Sequence, residues 1–568
     1  MKHEGGRVGL YPRHGSLRQR LPQFSNSGGQ EDGMFEKLKS ATPKKTMSLL
    51  LTLTTALGPI AIPAFPASKP AQKDAPTVTP IKHLVVIFQE NVSFDHYFGT
   101  YPVATNPSGE PSFTALPNTP TVNGLSNALM NFNPNLNPVN GAGASNPFRL
   151  DRSQAVTSDQ DHNYLAEQQA FDAGLMDLFP LDTGSGGSSI VMGYFDGNTV
   201  TAEWNYAQAF AMSDNSYGTT FGPSTPGVIN LVSGQTNGVA AIINGTGDEV
   251  SGGSDGSLSL IGDADPLGDV CSNPTRNQVT MGSKNIGDLL SAAGVTWGSF
   301  MGGFNLATIN PNGTTGCLRS SANAVNGVAT GDYIPHHSFF NYYASTANLN
   351  HTRPASLAEI GNKGPANHQY DLQDFFTAAA AGHLPAVSFL KAQAYQDGHA
   401  GYSDPLDEQT FLVETINFLQ TLPSWRSTAV VIVYDDSDGW YDHQMGPIVN
   451  TSTGSQDGLT APGACGSGAT SLPGLNPANP HALGRCGYGP RLPLLVVSPW
   501  AKQNFVDHTV TDQSSIIRFV EDNWLGGQRI GQGSFDGIAN SISQMFNFNR
   551  IQRNGFLFLN PSTGEPIF

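Results

Sequence analysis

The stretch from Ala429 to His443 constrains this chain more than any other. It opens as Ala429-Val430-Val431-Ile432-Val433-Tyr434, an unbroken apolar and mostly β-branched run. It closes on Asp435-Asp436-Ser437-Asp438-Gly439-Trp440-Tyr441-Asp442-His443. A run without polar alternation predicts a strand buried on both faces of a parallel sheet. Ligands in open α/β sheets bind beyond the carboxyl ends of the strands. Two adjacent acids at such an end are costly to desolvate unless positive charge lies between them. A divalent metal ion supplies that charge. The competing reading is a strand that runs into an acidic, solvated turn.

A second strand end of the same kind favours the metal. Ile81-Lys82-His83-Leu84-Val85-Val86-Ile87-Phe88 is followed by Gln89-Glu90-Asn91-Val92-Ser93-Phe94-Asp95-His96-Tyr97-Phe98-Gly99. Glu90 and Asn91 stand where the apolar run stops. Two strand ends that each present oxygen ligands can converge on one ion in a parallel sheet. Oxygen donors do not select zinc over calcium, magnesium or manganese, so the ion's identity stays open.

The rest of the chain repeats the same alternation. Leu384–Leu390 reads as a strand, Glu408–Leu419 as the amphipathic helix that feeds the opening strand, Arg491–Trp500 as a strand and Thr511–Leu525 as a helix. Asn285–Gly294 and Val295–Phe300 read as a helix–strand unit, and Tyr206–Met212 as helical. Such alternation predicts an α/β/α sandwich with a mostly parallel central sheet. Residues 101–150 and 444–489, rich in Gly, Pro, Asn and Ser, are expected as long loop excursions over the active face.

Composition narrows the function. Only 13% of the 568 residues are charged, and the formal net charge is −17. The first 47 residues are net basic, so the body is more acidic still. Such a body argues against nucleic acid and against electrostatic docking on anionic lipid. Residues 1–46 look like a non-structural extension or an overlong start. Residues 47–67, preceded by the charged Lys44-Lys45, have the apolar core and small residues of an export signal, 68–80 read as a linker and 81–568 as the catalytic body. The apolar run is too short and too broken by Pro for a comfortable membrane span. A secreted or periplasmic protein without an integral span is therefore expected. Cys271, Cys317, Cys465 and Cys486 form no CxxC pair. Two disulfides between sequence neighbours, Cys271–Cys317 and Cys465–Cys486, are the expectation.

One turn offers a nucleophile. In Phe221-Gly222-Pro223-Ser224-Thr225-Pro226-Gly227 a sharp bend leads into a helix at Val228–Gly234. Ser or Thr suits the N-cap and Pro the first turn. Free N–H groups there favour a phosphate, so Ser224 or Thr225 could be held where a phosphate binds. Ordinary caps of this kind far outnumber catalytic ones. His162 is expected near the start of a helix that begins after Asp161. His336 and His337 are adjacent, so at most one is expected to face a given site.

Taken together, these motifs resemble the bacterial acid phosphatase/phospholipase C phosphoesterase superfamily. Glu90-Asn91-Val92-Ser93-Phe94-Asp95-His96-Tyr97-Phe98-Gly99 is the most specific match. The Ser224 turn, Gly401-Tyr402-Ser403-Asp404-Pro405 and Tyr434-Asp435-Asp436-Ser437-Asp438-Gly439-Trp440 support it. The resemblance implies an alkaline-phosphatase-like core and one divalent metal ion held by Glu90, Asn91, Asp435, Asp436 and Ser224. It implies Ser224 as the nucleophile, with His162, His336, His399 and Asn91 around the phosphoryl group and His337 as a substrate-binding neighbour. Ser at position 224, rather than Thr followed by Pro-Asn, looks more like the acid phosphatase branch. The expectation is therefore a monoesterase acting through phosphoserine on small phosphate monoesters. The alternative is a phospholipase C that cleaves phosphatidylcholine-type lipids at the head group. A secreted binding protein with a structural calcium is the non-enzymatic rival.

Overall fold

The computed structural model describes residues 75–244, 250–252, 256–466, 472–475, 482–552 and 555–567. The expected N-terminal extension, export signal and most of the linker lie outside these residues. We number the strands of the main sheet β1 His83–Gln89, β2 Ala211–Ser213, β3 Trp297–Met301, β4 Gln369–Asp371, β5 Val387–Lys391, β6 Thr428–Tyr434, β7 Leu494–Val497 and β8 Phe505–Asp507. Their spatial order is β4-β3-β5-β1-β6-β7-β2-β8. All neighbours run parallel except β7, which is antiparallel to both β6 and β2.

Every residue of β5, β6 and β7 is buried. That burial requires cover on both faces, as the apolar runs predicted. Among the described helices of eight residues or more, we label α1 Tyr164–Phe171, α2 Thr201–Ala209, α3 Ser224–Ser233, α4 Ile286–Ala293, α5 Leu372–Ala380, α6 Pro405–Thr421 and α7 Ser514–Trp524. Helix α3 packs on α4 and α7, whereas α2 packs on α6, so the helices form two groups. Asp404 caps α6 by accepting from Leu406 and Asp407 N–H, and Pro405 occupies the first helical position; both follow the usual start signals.

Two expectations change. The helix expected at 206–212 lies earlier, at Thr201–Ala209, and its last residues instead form β2. β2, β4 and β8 have three residues each, too few for a period to emerge in sequence. The Ser224 turn places Pro223 at the N-cap and Ser224 at the first helical position. The two disulfides are Cys271–Cys317 and Cys465–Cys486, the pairing expected.

Glu521 and Glu203 are fully buried. Burial and a hydrogen bond to Asp536, against the pull of Arg529, push Glu521 up to about 9 from an ordinary value near 4.5. Burial pushes Glu203 up to about 7. A folded-state pKa above the unfolded one means that the native chain holds the extra proton. The stability from Glu521 is thus complete below about pH 4.5 and lost as pH rises toward 9. The melting temperature should fall between pH 5 and pH 9, and Glu521→Gln should make that fall shallower. Thermal melts across this range check it; an unchanged slope in the variant would remove Glu521 from the account.

Candidate active site

The register of the two organising strands builds the site. Gln89 of β1 pairs with Tyr434 of β6, so Glu90 and Asp435 leave the sheet side by side. Asp435 N–H donates to Gln89 O, and Val92 N–H donates to Asp436 O. Asn91 and Asp438 both have left-handed backbone, with φ of 52° and 51°. Residues held in that region cluster at functional sites. The remainder of the first motif locks the two strand ends together. Ser93 donates to Tyr441 O, Asp95 meets Arg491 at 3.0 Å and His443 at 2.6 Å, and His96 stacks on Trp440 at 3.9 Å.

Helix α3 brings Ser224 to this point. Gly227 faces the Asp435 backbone so closely that a Cβ would collide with the Asp435 carbonyl. Only Gly lets the helix seat there. Ser224 Oγ lies 3.0 Å from Glu90 Oε2, 3.2 Å from Asp436 Oδ2 and 3.5 Å from Asn91 Oδ1. Ser224 is 1% exposed, and Glu90 and Asn91 are fully buried. One N–H that a free helix start would offer is already used, because Thr225 N–H donates to Asp263 Oδ1 at 3.0 Å.

These groups fit a cation. Asn91 Oδ1 lies 2.7 Å from Glu90 Oε2 and 3.0 Å from Asp435 Oδ1. Oxygens that close repel unless a proton or a cation lies among them. Exchanging the amide N and O of Asn91 would relieve the contact by hydrogen bonding. His399 argues for the orientation as it stands. Its Nδ1 contacts the Ala400 carbonyl and so carries the proton. Burial and His162 lower its pKa to about 4. The remaining Nε2 is then an acceptor, 3.0 Å from Asn91 Nδ2. The amide N–H₂ serves His399, and the amide oxygen is left facing carboxylates. Asp435 Oδ2 has no hydrogen bond and pairs only with the Lys391 ammonium at 3.6 Å, on the side away from Ser224. Burial, with Asp435 adding to it, pushes Glu90 well above the usual carboxylate range; burial does the same for Asp436. Bound cations reverse that trend. Glu90, Asn91, Ser224, Asp435 and Asp436 would hold a hard divalent ion through oxygen alone.

The histidines take different places. His162 Nε2 is 3.4 Å from Asn91 Nδ2, and its Nδ1 is 3.2 Å from Asp438 Oδ1. Burial opposes its charge, but Asp436 and Asp438 hold its pKa well above the ordinary value. The His162 and His399 rings are 5.9 Å apart, on either side of the Asn91 amide. His337 approaches Glu90 from the other side, with Nδ1 3.1 Å from Oε1. His336 lies beside Asp263 and Asp265, at 3.7 and 3.6 Å, and its carbonyl accepts from Thr225 Oγ1. His162, His337 and His399 therefore touch the oxygen cluster, whereas His336 borders it.

Sequence reasoning missed four residues that hold the site. Lys391, at the end of β5, hydrogen-bonds Glu90 Oε1. Asp397 accepts from His399 N–H. Glu167 accepts from Gly222 N–H and Ser437 Oγ and so ties the nucleophile turn to the acid turn. Asp438 faces His162. Asp438 stood in a quoted motif, but Lys391 carried no signal beyond its position at a strand end.

A cleft of about 620 Å³ opens over His162 and Pro223. Asp159, Asp161, Asp182 and Asp263 line it, with no Lys or Arg among its lining residues. A second cleft, of about 520 Å³, lies beside His83 at the opposite end of β1 and holds none of the predicted site residues.

Residues 81–525 match the Phosphoesterase family. The non-hemolytic phospholipase C of Pseudomonas aeruginosa is 25% identical over 484 residues, which cover 83% of this chain and 58% of that protein. The chain thus spans little more than half the length of that relative. Phospholipase C A of Mycobacterium tuberculosis is 23% identical over 491 residues, 83% of this chain and 78% of that one. Among solved structures, murine ectonucleotide pyrophosphatase/phosphodiesterase 5 aligns at 13% identity and a TM-score of 0.30, covering 61% of this chain and 95% of its own.

Proposed function

Because the chain belongs to the Phosphoesterase family, we propose that it is a metal-dependent phosphate ester hydrolase of the phospholipase C type, acting on phosphatidylcholine-type lipids. The observation that carries the chemistry is the Ser224 hydroxyl set among the oxygens of Glu90, Asn91 and Asp436. Two observations favour a lipid diester over a small monoester. The relatives reported above are phospholipases C, and the cleft is lined by carboxylates that suit a cationic head group.

Ser224 Oγ attacks phosphorus, and the bond from phosphorus to the glycerol oxygen breaks. The hydroxyl proton leaves along a hydrogen bond that Ser224 makes to Glu90 or Asp436. The divalent ion, when bound, activates the hydroxyl and offsets charge on the phosphoryl oxygens. Asn91, whose amide N–H₂ donates to the neutral His399 Nε2, aligns the oxygen that faces Ser224. His162, kept charged by Asp436 and Asp438, donates its proton to the departing glycerol oxygen. Water then releases the head-group phosphate from Ser224. The two disulfides suit an oxidising compartment outside the cytosol. Among the described residues no helix is long and apolar enough to cross a membrane.

Ser at position 224 supports the second reading, a phosphomonoesterase. Hydrolysis of p-nitrophenylphosphorylcholine and p-nitrophenyl phosphate, side by side with added divalent ions, separates them. The account expects kcat/KM for the phosphorylcholine ester to be higher by about tenfold or more, equal to about 1.4 kcal/mol of transition-state binding. A preference for the monoester would transfer the assignment to the phosphatase.

A further inference from the structure

Lys391 is 2% exposed and ends the central strand β5. β5 lies directly beside β1, with Leu390 level with Ile87. Its ammonium passes the Phe88 ring at 5.3 Å and hydrogen-bonds Glu90 Oε1. It also lies 3.6 Å from Asp435 Oδ2. The other oxygens of these carboxylates point elsewhere. Glu90 Oε2 faces Ser224 at 3.0 Å, and Asp435 Oδ1 faces Asn91 Oδ1 at 3.0 Å. The lysine thus bridges the rear oxygens of two carboxylates whose front oxygens line the candidate ion site.

The rear side has ligands enough for an ion of its own. Glu90, His337 and Asp397 present ligand atoms within 4.8 Å of one another. His337 Nδ1 is 3.1 Å from Glu90 Oε1 and 3.9 Å from Asp397 Oδ2. With Asp435 Oδ2, the rear set is three carboxylate oxygens and one imidazole, of which the lysine contacts Glu90 Oε1 and Asp435 Oδ2. Paired cations in hydrolytic sites sit about 3.5–4 Å apart, close enough to share Glu90 between front and rear.

We propose that Lys391 is a built-in cation that occupies the place of a second metal ion and so restricts the site to one divalent ion, held on the Ser224 side. This rests on the metal site of the proposed function but not on its substrate. A covalently attached ammonium is compact, carries one charge and cannot dissociate. It neutralises the rear oxygens, fixes the Glu90 and Asp435 carboxylates in rotation, and leaves only their front oxygens for an exchangeable ion. Lys391 acts on the reaction through those carboxylates and is a positioning residue.

The test is ion stoichiometry, measured by elemental mass spectrometry after equilibrium dialysis against Mn²⁺ and, separately, Zn²⁺. Wild type is expected to bind about one ion per chain at this site. Lys391→Ala, which opens the rear space, is expected to bind about two, and His337→Ala in that background should remove the gain. Lys391→Arg retains charge and should stay at about one. The proposal is overturned by two ions at this site in wild type, or by a folded Lys391→Ala that still binds one ion with unchanged affinity. If Lys391→Ala fails to fold, the wild-type and Lys391→Arg counts still decide, since two ions in either would overturn it. Loss of ester hydrolysis with the stoichiometry as expected would fault the functional reading alone.

Discussion

Ser224→Ala should abolish turnover while leaving the fold intact. The side chain contributes one hydroxyl at the start of α3, and its contacts are with the oxygens of Glu90, Asn91 and Asp436. Alanine fits the same helical position, so no cavity larger than one atom is made. The variant loses the hydroxyl's hydrogen bonds to Glu90 and Asp436, but an ion bound among the same oxygens would still neutralise both carboxylates. Its melting temperature should therefore match wild type within a degree or two. Loss of a covalent nucleophile from a site whose members act as a unit lowers kcat by about 10³-fold or more, equal to about 4 kcal/mol of activation free energy. Residual turnover within tenfold of wild type would exclude Ser224 as the nucleophile. A large fall in melting temperature would assign it a structural role.

The second large effect concerns the acids at the end of β6. Asp436→Asn should have opposite consequences without and with metal. Without an ion, the Asp436 carboxylate is buried beside Asp435 and Glu167; burial disfavours its ionised form, His162 opposes that, and the two acids tip the balance back toward the neutral form. A neutral amide relieves that repulsion, so the ion-free variant should melt at or above wild type. With an ion, the order reverses. An ion at about 100 times its Kd stabilises the native chain by about 2.7 kcal/mol. Changes one shell further out weaken metal binding by about 10–100-fold, and loss of a direct ligand should exceed that. The ion-induced rise in melting temperature should thus nearly vanish in Asp436→Asn, and turnover should fall with it. Melts with and without Mn²⁺ check both halves. An equal rise in variant and wild type would remove Asp436 from the ligand set.

The two effects have a common origin in how the sheet ends. β1 and β6 are neighbours in register, so the residues that follow them meet by construction. This much could be read from the chain, because an apolar run that stops at an acid marks both the strand and its end. Ser224 could be read only with help from the Gly-Pro turn before it, and its approach to Asp435 depends on Gly227, which looks like any other loop glycine. Lys391 could not be read. A lysine at the end of an apolar strand is usually the point where the strand reaches water, and only the position of β5 beside β1 puts its ammonium against Glu90. Asp397 and Glu167 were hidden for the same reason, since each acts across a distance set by tertiary packing.

The fold divides along similar lines. β1 and β6 were legible because apolar residues run together for five residues or more. The reversed direction of β7 was not, because a buried antiparallel strand has the same composition as a parallel one. The split of the two histidines after Pro335 was expected, but not which of them would face Glu90. Alternation on a 3-10 turn sends His337 to Glu90 and His336 to Asp263, an assignment that adjacent identical residues do not reveal. The choice between diester and monoester rested in sequence on Ser224, whereas the phospholipase relatives and the carboxylate-lined cleft favour the diester.

The most direct measurement is an acid quench of the metal-loaded chain during the pre-steady-state burst with p-nitrophenylphosphorylcholine, followed by mass spectrometry of the peptide that contains Ser224. The account predicts a phosphorylcholine increment on Ser224, absent from Ser224→Ala. An increment on another residue, or a full burst with Ser224 unmodified, would contradict it.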